Sequence, residues 1–148
     1  MIISWLVVRS IAATGVWHQV ASWSGALRAA LAAMFVFTAV SHFHPRTRPD
    51  LIRMVPPSLQ APALLVTATG VLEFIGAIGL LVPRVQSAAA YGLIALLAGM
   101  VPANIHAARA GLIVAGRRAS PLVWRLPLQL FWMSALWWVG SMRPGIDG

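Results

Sequence analysis

Four long apolar blocks, residues 26–43, 61–82, 87–105 and 126–142, govern what this chain can fold into. Each is near or above the ~17–20 residues with which a helix crosses ~30 Å of hydrocarbon. Together they use most of the 148 residues, so no extramembrane domain is expected. Charged residues make up only 9% of the chain, against about 25% in a soluble domain, too few to build a water-facing surface. The expectation is an all-α fold: a transmembrane four-helix bundle over residues 26–148, with a short interfacial helix between helices one and two.

The charges that are present narrow the function classes. All eleven basic residues are arginine, against three acidic ones, for a formal charge of +8. Such a balance suggests nucleic acid, but these arginines stand at the ends of apolar blocks, where they act as topology signals and headgroup contacts. Membrane lipids, and no nucleic acid, are the expected partners. With no cysteine, thiolate nucleophiles and Cys-ligated metals are excluded, and no metal site is expected. Residues 1–25 lack a charged n-region, and Arg9 interrupts their apolar run. An interfacial helix or leader is expected there, with a fifth span left open.

Prolines punctuate the rest. Pro45 should end the first helix. In the loop that follows, Pro49-Asp50-Leu51-Ile52-Arg53-Met54-Val55 suits two turns of interfacial helix, since proline and aspartate favour a first turn. Pro56-Pro57 should stop it. The second helix ends at Pro83-Arg84, and the third runs from near Gln86 to Asn104 or His106. In the third, Ala88, Gly92, Ala95 and Gly99 form a small-residue stripe expected to receive a neighbouring helix. Residues 107–120 read as a polar loop, and the fourth helix ends in Trp137 and Trp138, which fit an aromatic belt. Arg46, Arg48, Arg53, Arg109, Arg117, Arg118 and Arg125 fall on one side, which the positive-inside rule places in the cytoplasm.

Polar residues inside the apolar blocks are the candidates for chemistry. Glu73 lies about twelve residues into its helix, roughly 18 Å deep. A carboxyl there costs on the order of 2.5–3.5 kcal/mol on insertion scales, so it should face inward and find a partner. Thr69 shares its face, and Gly70, Gly76 and Gly79 leave room around it. Measured from the arginine-rich side, Gln129 is roughly 10–12 Å deep, Arg125 one turn shallower, and Asn104 and His42 within a turn of the surface. The expectation is a polar column descending to Glu73. For Asn104 and Gln129, ligand binding and interhelical glue, worth ~0.6 kcal/mol per bond, stay open together. Whichever role Glu73 has, its removal in Glu73→Ala should strand buried partners at roughly 1–3 kcal/mol each. His18, His44 and His106 read as solvated or interfacial. A bis-His haem on His42 and His106 is the weaker alternative.

The same residues carry a resemblance. Ser41-His42-Phe43-His44-Pro45, Met54-Val55-Pro56-Pro57, Gly70-Val71-Leu72-Glu73 with Gly76-Ala77-Ile78-Gly79-Leu80-Leu81-Val82-Pro83, Pro102-Ala103-Asn104-Ile105-His106 and Arg125-Leu126-Pro127-Leu128-Gln129 together resemble the DoxX-like family of small four-helix membrane proteins. The resemblance covers residues 27–138 and implies roles for His42, Glu73, Asn104, Arg125 and Gln129. One member is associated with a quinone-linked sulfur-oxidising complex, and others look like accessory or assembly proteins. It therefore implies either of two functions. The first is a quinone- or lipid-binding subunit of membrane redox chemistry, in which Glu73 is the catalytic group and His42, Asn104, Arg125 and Gln129 bind the ligand. Quinone is then the cofactor, and a redox partner protein is required. The second is a non-enzymatic accessory or assembly factor. Whether the protein is an enzyme, and whether it forms a homo-oligomer, stay open. The cytoplasmic membrane of a prokaryote is the expected location.

Overall fold

The computed structural model describes residues 23–114, 116–118 and 121–142. The N-terminal interfacial segment or leader expected for residues 1–25 therefore lies outside the described residues, apart from Trp23, Ser24 and Gly25. Those three open the first helix rather than precede it.

Near-continuous apolar sequence produces four long helices and one short one among the described residues: α1 Trp23–Phe43, α2 Arg48–Met54, α3 Pro62–Leu81, α4 Gln86–Arg109 and α5 Leu122–Ser141. The fold is helical apart from a two-residue ladder, β1 Ile113–Val114 against β2 Arg117–Arg118, inside what reads in sequence as a plain polar loop. α2 keeps to its expected limits because proline sets both. Pro49 sits in its first turn, and Val55, held extended before Pro56, is its C-cap.

α4 runs three residues past His106. Gly111 supplies the reason. Its φ of 61° lets the Leu112 amide donate to the Ala107 carbonyl (3.1 Å) and its own amide to Ala108 (3.4 Å). These two bonds close the last turn as a Schellman motif, and His106 and Arg109 sit at the negative end of the helix dipole.

Three helices, α1 from Ser24, α3 and α4, are long and apolar enough to cross a membrane. α5 has the length but, with Arg125, Pro127, Gln129 and four tryptophans in it, is not among the helices that reach a membrane span's mean hydropathy. The outer surface is apolar on all four long helices: Phe37 is 76% exposed and Trp124 72%, with Leu64, Ile75, Leu130 and Phe131 similarly bare. Bilayer integration accounts for such a surface; water does not.

α1 packs chiefly on α3, α3 on α4 and α4 on α5, and α1 meets α5 only sparsely. The two ends of the assembly differ. At one end Leu31, Phe35, Ala77, Leu80, Ala90, Leu93, Leu136 and Val139 form a tight core. Glycines permit this closeness: a Cβ on Gly76 would stand 2.6 Å from Leu93 and one on Gly79 2.7 Å from Ala89. Gln86, 1% exposed, ties this end together. It accepts from Arg28 Nη1 (2.6 Å) and donates to the Val139 carbonyl (2.8 Å), joining α1, α4 and α5.

Among the described residues, the small-residue stripe of α4 receives no neighbouring helix. Ala88, Gly92, Ala95 and Gly99 are exposed, and a Cβ on Gly92 or Gly99 would meet nothing within 4 Å. α3 and α5 pack on other faces of α4, through Leu93 and Ala90. A helix apolar all round carries no signal of which face turns inward.

Candidate functional site

At the other end the helices part and enclose a cavity of about 530 Å³. Its walls come from α1 (Phe35, Thr38, His42), α3 (Val66, Thr69, Glu73), α4 (Leu96, Met100, Asn104) and Trp132 of α5. α2 and the turn after it cover it with Leu51, Met54, Pro56 and Leu59. Among the lining residues, Leu59, Leu65, Ala95 and Gly99 are exposed, which sets a mouth between α3 and α4 beneath α2.

Glu73 forms the polar end. It is 3% exposed, lies on the inner face of α3 and lines the cavity. Its nearest ionisable neighbour is His42, whose Nδ1 stands 3.6 Å from Oε2. That Nδ1 also bonds the Thr38 carbonyl at 3.0 Å, within the same helix. Because a carbonyl can only accept, Nδ1 carries the hydrogen. Oε2 of Glu73 is buried and makes no hydrogen bond among the described residues. Native proteins almost never leave such a group without a reason.

Gly70 makes this pairing possible. A Cβ there would stand 2.6 Å from His42 Cβ and 2.9 Å from Phe43 Cε2. Its bare backbone lets α1 lay His42 against α3 one turn before Glu73. In sequence Gly70, Gly76 and Gly79 read as space around the carboxyl; in the fold all three are occupied by neighbouring helices. Arg48 holds the same junction from outside, donating to the His42 carbonyl (3.0 Å), Thr67 Oγ1 (2.9 Å) and the Ala63 carbonyl (3.3 Å).

The other candidates form a second cluster. Arg125 Nη1 donates to Asn104 Oδ1 (3.0 Å), Asn104 Nδ2 donates to Gln129 Oε1 (3.2 Å), and Gln129 Nε2 donates to the Leu97 carbonyl. This relay joins α4 to α5 and turns inward the two most polar residues of α5. Of its members only Asn104 lines the cavity. The single column expected from depth is therefore two clusters, His42–Glu73 and Arg125–Asn104–Gln129, which face one cavity through Glu73 and Asn104. His106 does not line it, so the haem alternative gains no support from this cavity.

Sequence reasoning passed over Thr38, Arg48 and the Arg28–Gln86 pair. Arg28 was the findable one. A lone arginine inside an apolar helix needs a partner, and Gln86, at the start of α4, lies toward the same end of the assembly.

A family model described as Domain of unknown function (DUF8561) matches residues 31–140. Searches of curated proteins and of solved structures find no match. The matched span is about three quarters of the chain and contains both polar clusters and every residue named as lining the cavity. The chain belongs to the DUF8561 family.

Proposed function

We propose that this protein is a four-span integral membrane protein, of the DoxX-like type, that binds a quinone or lipid-like ligand in the cavity below α2. The observation that carries the reading is an apolar cavity of about 530 Å³ ending on a buried, unpartnered carboxyl oxygen. Sites for small apolar ligands have this volume and this character: apolar walls and a few placed polar groups. The mouth between α3 and α4 would open toward lipid, so the ligand would arrive from the bilayer. α5 serves as the fourth span, because Arg125 and Gln129 turn toward α4 while its outer face offers Val123, Trp124, Leu128, Leu130 and Phe131. A redox role assigns proton transfer to Glu73 and leaves electron transfer to a partner protein.

A photoactivatable diazirine on an alkyl chain tests the site directly. Labelling should concentrate on Met54, Met100 and Trp132. Even labelling of the outer faces, at Phe37, Leu64 and Trp124, would count against the cavity.

The second reading, an accessory or assembly factor whose polar clusters only fix helix packing, is favoured by the Arg125–Asn104–Gln129 relay, in which each amide is engaged at both ends. It accounts for that cluster and not for Glu73.

The arginine-rich loops are assigned to the cytoplasm of a prokaryotic cell. Ala110→Cys, on a chain without cysteine, should resist an impermeant thiol reagent in intact cells and react after lysis. Reaction in intact cells would reverse the orientation.

A further inference from the structure

The polar end of the cavity has a hydrogen-bonding sense, and this deepens the ligand-binding reading on which it rests. The Nδ1–H of His42 is fixed by the Thr38 carbonyl and stands 3.6 Å from Glu73 Oε2. Beside that N–H, Oε2 is placed to accept rather than donate. The geometry therefore presents Oε2 to a ligand as an acceptor, with Oε1 the better-placed oxygen for any proton on the carboxyl. Oε2 is also an oxygen that makes no hydrogen bond among the described residues, on a residue 97% buried and lining the cavity. On the opposite wall, the Asn104 amide is engaged by Arg125 and Gln129.

We propose that the cavity selects ligands that donate a hydrogen bond: molecules with an apolar body and a hydroxyl, which is delivered to Glu73 Oε2. A ring hydroxyl, as in a quinol, and the alcohol of a neutral lipid share this chemistry. A quinone, whose carbonyls only accept, does not, so a reduced carrier is held in preference to its oxidised form.

Matched pairs test this on the purified full chain in detergent. Dodecylphenol is titrated beside its methyl ether, and a diacylglycerol beside the same lipid with its hydroxyl acetylated. Wild-type protein should bind dodecylphenol about tenfold or more tightly than the ether, the size of one hydrogen bond to a carboxyl. In Glu73→Leu the preference should largely vanish while the ether binds as before. That comparison cancels the different partition of the two probes into detergent.

A preference extending to diacylglycerol over its acetylated form identifies a lipid alcohol as a ligand. One confined to the phenol identifies a quinol-like ring. Equal binding of phenol and ether by wild type would overturn the inference and leave the cavity a binding site. Failure of every probe to bind would overturn the cavity reading as well. If Glu73→Leu does not fold, the wild-type pair, corrected for each probe's partition into protein-free micelles of the same detergent, decides the question.

Discussion

Glu73→Leu is expected to raise the melting temperature in detergent while lowering retention of a hydroxyl-bearing ligand about tenfold or more. The carboxyl has little to strand: the Nδ1–H of His42 is already bonded to the Thr38 carbonyl, the Thr38 hydroxyl beside the carboxyl keeps the Phe35 carbonyl as acceptor, and Oε2 makes no hydrogen bond. Replacing an unsatisfied buried group with a similarly sized apolar one removes its desolvation cost, about 1–3 kcal/mol. Sequence alone suggests the opposite, that losing Glu73 would strand several partners; in the fold its neighbours His42 and Thr38 each keep another hydrogen bond. Glu73→Gln separates binding from proton transfer. The amide keeps an acceptor but cannot ionise, so it should hold a ligand bound by hydrogen bonding and lose any activity that moves a proton. Thermal melts beside ligand retention in both variants check this. A fall in melting temperature for Glu73→Leu would make the carboxyl structural and favour the accessory-factor reading.

Gly70→Ala should have the largest effect on folding of any single-methyl addition to α3. The new Cβ would stand 2.6 Å from His42 Cβ, an atom attached to the α1 backbone, so a rotamer change cannot relieve it. Overpacking of this kind costs about 1–3 kcal/mol. It also pushes α1 away and separates His42 from Glu73, so ligand affinity should fall with stability. Gly99→Ala, with nothing within 4 Å of its added Cβ, is the matched control. It should leave the melting temperature unchanged or slightly higher, because alanine is the better helix former. Equal melting temperatures for the two variants would mean that α1 and α3 do not approach as described.

What was legible in the sequence divides along one physical line. Distance along a helix is fixed at 1.5 Å per residue, so the depth of Glu73 and the presence of His42 among its neighbours could be read from residue numbers. Proline fixes backbone angles covalently, so Pro49 and Pro56-Pro57 gave the limits of α2. Rotation about the helix axis has no such marker in a helix apolar on every side. That is why the outward turn of Gly92 and Gly99, the filling of Gly70 by His42, and the separation of Arg125 and Gln129 from the cavity were visible only in the fold. The Arg28–Gln86 bond lay between these cases: depth along the helices was compatible with it, sequence reasoning passed over it, and packing established it. The family match covers the same helices and the same polar positions.

The central claim is that the cavity ending on Glu73 holds an apolar ligand taken from the membrane. Purification of wild-type protein and Glu73→Leu in the same mild detergent, followed by mass spectrometry of the extracted small molecules, tests it most directly. One hydroxyl-bearing apolar species should accompany the wild type in a fixed molar ratio and be strongly depleted in the variant. Identical extracts from the two proteins, matching the bulk lipid of the membrane, would contradict the claim.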